Sequence, residues 1–214
     1  MTKERVRQII LDTGIVPVVR ASSAKLAMDA AEAVAAGGIP IVELTMTVPG
    51  AIEAIATLSR SMGEKVLIGA GTVLDAETAQ KCLDAGARFL VSPGFDHDTV
   101  KLANRTETLM MAGALTPTEV ITAWKAGADF VKIFPCGNVG GPAYIKALKA
   151  ALPQIPMVPT GGVNLSTAAA FLSAGAAALG VGGELIPAAA LQSGALASIT
   201  ALARQYLAIV REAG

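Results

Sequence analysis

A four-fold recurrence constrains this chain more than any other feature. An amphipathic stretch ends in Ala-Gly or Ala-Gly-Gly and a short apolar run follows at once: Ala36-Gly37-Gly38 before IPIVEL, Ala85-Gly86-Ala87 before RFLVSP, Ala126-Gly127-Ala128 before DFVKIF, and Ala174-Gly175-Ala176 before AALGVG. Glycine at the end of a helical pattern takes the left-handed conformation that terminates the helix without steric cost. The β-rich run after it is apolar on both faces, as strands of a parallel sheet covered by helices are. The repeating unit is therefore helix, glycine cap, strand and loop.

Eight such strands can be counted: residues 15–19, 40–45, 65–70, 88–92, 108–112, 129–134, 156–160 and 177–181. Helical patterns lie between them, over 24–36, 51–62, 76–85, 117–126 and 167–174, with a further helix at 1–13 and a last one at 195–212. Asp75, Thr116 with Glu119, and Ser166 read as N-terminal caps. Eight βα units with short loops need about 200–250 residues, which the 214 of this chain supply. The expected fold is α/β: one (β/α)₈ TIM barrel over residues 1–214 with an extra N-terminal helix. An open doubly wound sheet would more often carry a GxGxxG turn after its first strand, and Arg20-Ala21-Ser22 is not one.

Composition narrows the function. Seventeen basic and seventeen acidic side chains cancel, so no electrostatic footprint for nucleic acid or an anionic membrane is expected. Two cysteines are too few for a disulfide framework and fit a reducing, cytoplasmic setting. The N-terminus shows no secretory pattern. Residues 150–183 carry no charge, but Pro153, Pro156, Pro159, Gly161, Gly162 and Asn164 interrupt them. A strand, a loop and an Ala-rich helix are expected there rather than a membrane span.

Function in such a barrel sits at the C-terminal ends of the strands. Those ends are Arg20, Glu43 with Thr45, residues 69–72, Ser92-Pro93, Gly113, Lys132, Thr160-Gly161-Gly162 and residues 180–183. Two of them break apolar runs: Lys132 in FVKIF and Glu43 in IVEL. Burial disfavours the charged form of a lysine, and the free amine is what a Schiff-base nucleophile requires. Glu43 is then either a general acid/base or a mere counter-ion, and a Lys132–Glu43 ion pair without chemistry is the structural alternative. The glycine pairs in VPTGGV and GVGG follow strands seven and eight, where barrels bind phosphate through backbone amides; tight turns are the other reading. A lone His97 makes no transition-metal site, and no metal or cofactor is expected. Cys136 reads as a structural thiol, and Trp124 and Met110-Met111 as packing.

At these positions the chain resembles the 2-keto-3-deoxy-6-phosphogluconate aldolase / 4-hydroxy-2-oxoglutarate aldolase family. The segments that carry the resemblance are IVPVVRA, VELTMTVPGA, IGAGTV, FLVSPGF, GALTPTE, FVKIFP and VPTGGV, in order and nearly end to end. It implies a class I aldolase, usually a homotrimer, that cleaves a small-molecule 2-keto acid to pyruvate and an aldehyde. The Schiff base falls on Lys132 and proton transfer on Glu43. Arg20 and Thr72 hold the pyruvate carboxylate, Pro93 and Phe134 line the pocket, Thr160 lies near the aldehyde-end hydroxyl, and Gly161, Gly162, Gly182 and Gly183 hold phosphate. Some members carry an arginine where Thr47 stands, as part of the carboxylate grip; many carry a serine in the last glycine loop, where this chain reads Gly182-Gly183-Glu184. A 6-phosphogalactonate or non-phosphorylated substrate, an isomerase without imine chemistry and an inactive scaffold barrel are the competing readings. Borohydride trapping with pyruvate separates the last two from an aldolase.

Overall fold

A computed structural model describes residues 1–213. In chain order it contains α1 (Lys3–Thr13), β1 (Ile15–Val19), α2 (Ala24–Ala36), β2 (Ile41–Thr45), α3 (Ala51–Met62), β3 (Leu67–Gly71), α4 (Ala76–Asp84), β4 (Phe89–Val91), α5 (His97–Arg105) and β5 (Leu109–Ala114). There follow α6 (Pro117–Lys125), β6 (Phe130–Ile133), a 3₁₀ turn (Cys136–Val139), α7 (Pro142–Ala151), β7 (Met157–Pro159), α8 (Ala168–Ser173), β8 (Leu179–Val181), α9 (Ala188–Gln192) and α10 (Leu196–Ala213). All neighbouring strands pair in parallel, in the order β7-β6-β5-β4-β3-β2-β1-β8. A bridge between Thr160 and Gly180 joins the two ends, so the sheet closes into a (β/α)₈ barrel.

The glycine repeat does what its sequence predicts. Gly38, Gly86, Gly127 and Gly175 have φ between +96° and +101°, each two residues past the last residue of its helix; in the Gly37-Gly38 pair the left-handed turn falls on the second. Asp75 and Thr116 cap α4 and α6 as expected, the latter with a reciprocal capping box to Glu119. Ser166 does not cap α8. That helix starts at Ala168, and the Asn164 carboxamide oxygen accepts from the amides of Ser166 and Thr167 ahead of it. Helices α1, α3, α5, α7 and α9 carry no Ala-Gly terminator of the repeat.

The strands are buried along their whole length. Helix α1 buries Val6 and Ile10 and touches β1 and β5, which lie on opposite sides of the ring, so it spans the N-terminal end of the barrel. Lys3 pairs with Asp129 there at 2.9 Å. Met110 and Met111 are core residues, whereas Trp124 is 36% exposed rather than packed. Among the described residues no helix is long and apolar enough to cross a membrane.

Candidate active site

At the C-terminal end of the barrel, glycines make room for the larger groups of neighbouring strands. A Cβ at Gly71 would overlap the Glu43 carboxylate, one at Gly113 the Pro93–Gly94 peptide, and one at Gly180 the Thr160 hydroxyl. Gly113 is also the register partner of Lys132 across β5 and β6. Three strands therefore give up side-chain volume where larger groups of their neighbours enter.

Into this space project two ionisable groups. Lys132 on β6 and Glu43 on β2 are 4% and 2% exposed in their side chains, with Lys132 Nζ 3.9 Å from Glu43 Oε1. That is the outer limit of an ion pair, and Glu43 Oε1 has no hydrogen-bond partner although it is buried. Burial pushes the Glu43 carboxyl above the usual carboxylate range, against the downward pull of Lys132 and Arg20. Lys132 Nζ also stands 5.4 Å from the centroid of the Phe134 ring.

The remaining candidates form a rim. Arg20, the residue after β1, is exposed; a Cβ on Gly182 would stand 3.0 Å from its Nη1, so the guanidinium lies against the loop after β8. Thr72 follows β3 with φ +58°, a left-handed conformation that is costly for a β-branched residue and turns the chain at the mouth. Pro93 and Phe134 are half-buried beside Gly113 and Lys132 respectively, and Phe134–Pro135 is a cis peptide. Ser92 holds the Pro93 turn, donating to the Gly94 carbonyl at 2.6 Å and accepting from the Gly113 amide at 3.3 Å. Thr47, two residues past β2, is exposed and reaches Thr45 Oγ1 at 2.7 Å.

Thr160, Gly161 and Gly162 follow β7. The loop after β6 docks on them through Cys136 N to Thr160 O and Gly137 N to Gly161 O, both 2.9 Å. Gly161 and Gly162 take φ +87° and +77°, and the hydroxyl of Thr167 donates to the Gly162 carbonyl at 2.9 Å. Among the described residues, the amides of Gly161, Gly162 and Gly183 enter none of the loop hydrogen bonds. Open amides at a strand end are the donor set that an anion needs. Glu184 is exposed, and a side chain at Gly183 would meet open space.

Sequence reasoning singled out Lys132 and Glu43 because a charge in an apolar strand is conspicuous. Thr45, Ser92, Gly71 and Gly113 stood among the strand ends without a role. Their positioning work shows only as contacts between strands, for which a linear pattern carries no signal.

An amine and a carboxylate are buried together at the end of a (β/α)₈ barrel where enzymes of this fold gather their chemistry, and the class they fit is a barrel enzyme of amine and acid–base type. The comparisons with known proteins name the group within it. Residues 6–202 match the aldolase family described as KDPG and KHG aldolase. A 2-dehydro-3-deoxy-phosphogluconate aldolase of Treponema pallidum is 36% identical over 92% of this chain and 93% of its own length. The crystal structure of the 2-keto-3-deoxy-6-phosphogluconate aldolase of Zymomonas mobilis with 3-phosphoglycerate superposes with a TM-score of 0.88 at 30% identity, covering 99% of each chain. The Legionella pneumophila KDPG aldolase, captured with pyruvate as a covalent carbinolamine, gives 0.85 at 30% identity, covering 92% of this chain and 95% of that one. The chain belongs to the KDPG and KHG aldolase family, a family of lyases.

Proposed function

We propose that this protein cleaves 2-keto-3-deoxy-6-phosphogluconate to pyruvate and glyceraldehyde 3-phosphate through a Schiff base on Lys132, and that it accepts 4-hydroxy-2-oxoglutarate, giving pyruvate and glyoxylate. The observation that carries the reading is the isolated Lys132–Glu43 pair, two buried groups at 3.9 Å with no other ligand for Oε1. In the forward direction the neutral Lys132 amine adds to the C2 ketone, and the carbinolamine loses water to become an iminium. Glu43 takes the proton of the C4 hydroxyl, directly or through one water. The C3–C4 bond then breaks, its electron pair flows into the iminium to give an enamine, and the aldehyde leaves. Glu43 returns its proton to C3, and hydrolysis of the new iminium frees pyruvate and Lys132. The residues supply every step.

Binding follows the rim. Arg20 and Thr72 hold the carboxylate in register, Pro93 and Phe134 wall the pyruvate end, and Thr160 faces the aldehyde-end hydroxyl. The phosphate rests on the loops of Gly161, Gly162, Gly182 and Gly183, through the open amides of Gly161, Gly162 and Gly183. What favours a phosphorylated substrate is that both glycine loops offer donors and that Glu184 is exposed to solvent. The reading includes a homotrimer in the cytoplasm, on the strength of the family resemblance and of the apolar side chains of Leu74, Ile121, Trp124 and Val139 left exposed on one chain.

The experiment is intact mass and peptide mapping after incubation with pyruvate and borohydride. One reduced pyruvyl adduct on Lys132 is expected. A folded protein that takes up no adduct would sink the Schiff-base reading and favour an isomerase or an inactive barrel.

A further inference from the structure

The hydroxyl of Thr45, fully buried on β2, donates to the carbonyl oxygen of Val19 at 3.0 Å. A threonine has a single hydroxyl proton, so Thr45 has none left for its other neighbour. That neighbour is Thr47 Oγ1, at 2.7 Å. The proton between the two hydroxyls must therefore come from Thr47. A relay results, Thr47 to Thr45 to Val19 C=O, and it leaves Thr47 facing outward with lone pairs only. In this arrangement Thr47 accepts hydrogen bonds and does not donate them, so it is unsuited to gripping a carboxylate, which itself only accepts.

Thr47 shares a cavity of about 270 Å³ with the side chain that follows Val19, namely Arg20. Ser22 and Gln192 are the other polar groups lining it. The guanidinium is donor-only, and none of the ion pairs or side-chain hydrogen bonds among the described residues involves it. Val19, the end of the relay, is the backbone anchor from which Arg20 departs. One acceptor without a donor and one multiple donor without an acceptor thus face the same space, tied to each other through adjacent backbone.

We propose that Thr47 is a positioning residue: held by the Thr45–Val19 relay, its oxygen accepts an N–H of Arg20 and sets the guanidinium toward the substrate carboxylate instead of letting it range through the outer cavity. The inference rests on the reading of Arg20 as the carboxylate grip. It gives Thr47 a part in binding without contact to the substrate, and leaves the free N–H groups of Arg20 for a bidentate hold on the anion.

The test is a double-mutant cycle read by the pyruvate concentration that half-saturates borohydride trapping, using Thr47→Val, Arg20→Ala and the double variant, with thermal melting as the check on folding. Thr47→Val keeps the shape and removes the acceptor. It is expected to raise the half-saturating concentration about three- to tenfold, while the rate at saturating pyruvate falls by less. Thr47→Ser should restore the wild-type value, which a purely steric role of the threonine methyl would not allow. In the Arg20→Ala background the Thr47→Val change should cost nothing further. An equal loss in both backgrounds would overturn the proposal and return Thr47 to direct contact with the ligand; no loss from Thr47→Val in the otherwise wild-type protein would overturn it as well. If Arg20→Ala alone binds pyruvate like the wild type, the reading of Arg20 fails and the Thr47 proposal falls with it, a result distinct from the uncoupled one.

Discussion

Strand β6 carries the same chemistry at both ends and uses it in opposite ways. At its N-terminal edge Asp129 meets Lys3 of α1 at 2.9 Å, with side chains 15% and 27% exposed, and the same carboxylate oxygen accepts the Met110 amide at 2.8 Å. Three residues on, Lys132 meets Glu43 at 3.9 Å, almost wholly buried, with one carboxylate oxygen unpartnered. The lower pair is close, hydrogen-bonded and wetted by solvent, so it fastens the helix that closes the barrel floor. The upper pair is distant, dry and unsatisfied. A buried acceptor without a donor costs about 1–3 kcal/mol, and such a cost is kept where the open coordination is needed by a reacting molecule. Solvent access and the number of partners distinguish the two pairs, not the charges they carry.

The comparison can be broken most severely at its upper member. Lys132→Ala should lower cleavage by about 10³-fold or more and abolish borohydride trapping, as expected for a lost covalent nucleophile. Glu43→Gln should still form the pyruvyl adduct yet lose about 10²- to 10⁴-fold in cleavage, the usual span for a general acid/base; steady-state rates with the phosphorylated keto acid read both.

The upper pair also sets a pH dependence. Because burial raises the folded Glu43 carboxyl above its unfolded value, it ionises later than an ordinary carboxylate as pH rises. The acid limb of kcat/KM should therefore lie above the ordinary carboxylate range and vanish in Glu43→Gln. By the same sign, the contribution of this group to stability is complete below its unfolded pKa and is lost as pH rises through the folded one. A limb at the ordinary carboxylate position would show that the dry environment has been overstated.

The lower pair should respond in stability alone. Asp129→Ala is expected to cost about 1–3 kcal/mol in denaturant unfolding, chiefly through the Met110 amide left without its acceptor, with kcat within about twofold of wild type, since mutations that touch no reacting group spare the chemical step. A large loss of activity would mean that the two ends of β6 are coupled. The thiols mark how local the reactivity is: burial pushes Cys82 and Cys136 up to about 11, so neither is a thiolate at neutral pH. Disulfide reagents should label them slowly in the native protein and fast in denaturant. The smallest effect belongs to Tyr206 on α10, whose buried hydroxyl has no partner. Tyr206→Phe should leave the melting temperature unchanged or raise it, by at most about 1 kcal/mol in stability.

Much of this was legible in the linear chain for a specific reason. The glycine after four of the helices takes a positive φ, and a strand covered on both faces must be apolar, so the helix–strand alternation is written in local chemistry. Lys132 and Glu43 are legible through the same rule, as violations of it. Ser166 misled because serine, asparagine and threonine all cap helices, and which of Asn164, Ser166 and Thr167 closes the turn depends on the path of the chain out of β7. Trp124 misled because an aromatic side chain on a helix says nothing about which neighbours leave it exposed.

By itself, then, the sequence determined the repeating unit, the number of strands, the end of the barrel at which chemistry gathers and the two charged residues that stand there, because each follows from the conformational limits of single residues or from burial along one strand. Only the tertiary structure decided that these two charges face each other at 3.9 Å with an oxygen left over, that Gly71 leaves the space the Glu43 carboxylate fills, and that Thr47 lines one cavity with Arg20. Those are distances between strands far apart in the chain, and they exist only once barrel closure has set the register of every strand against its neighbours.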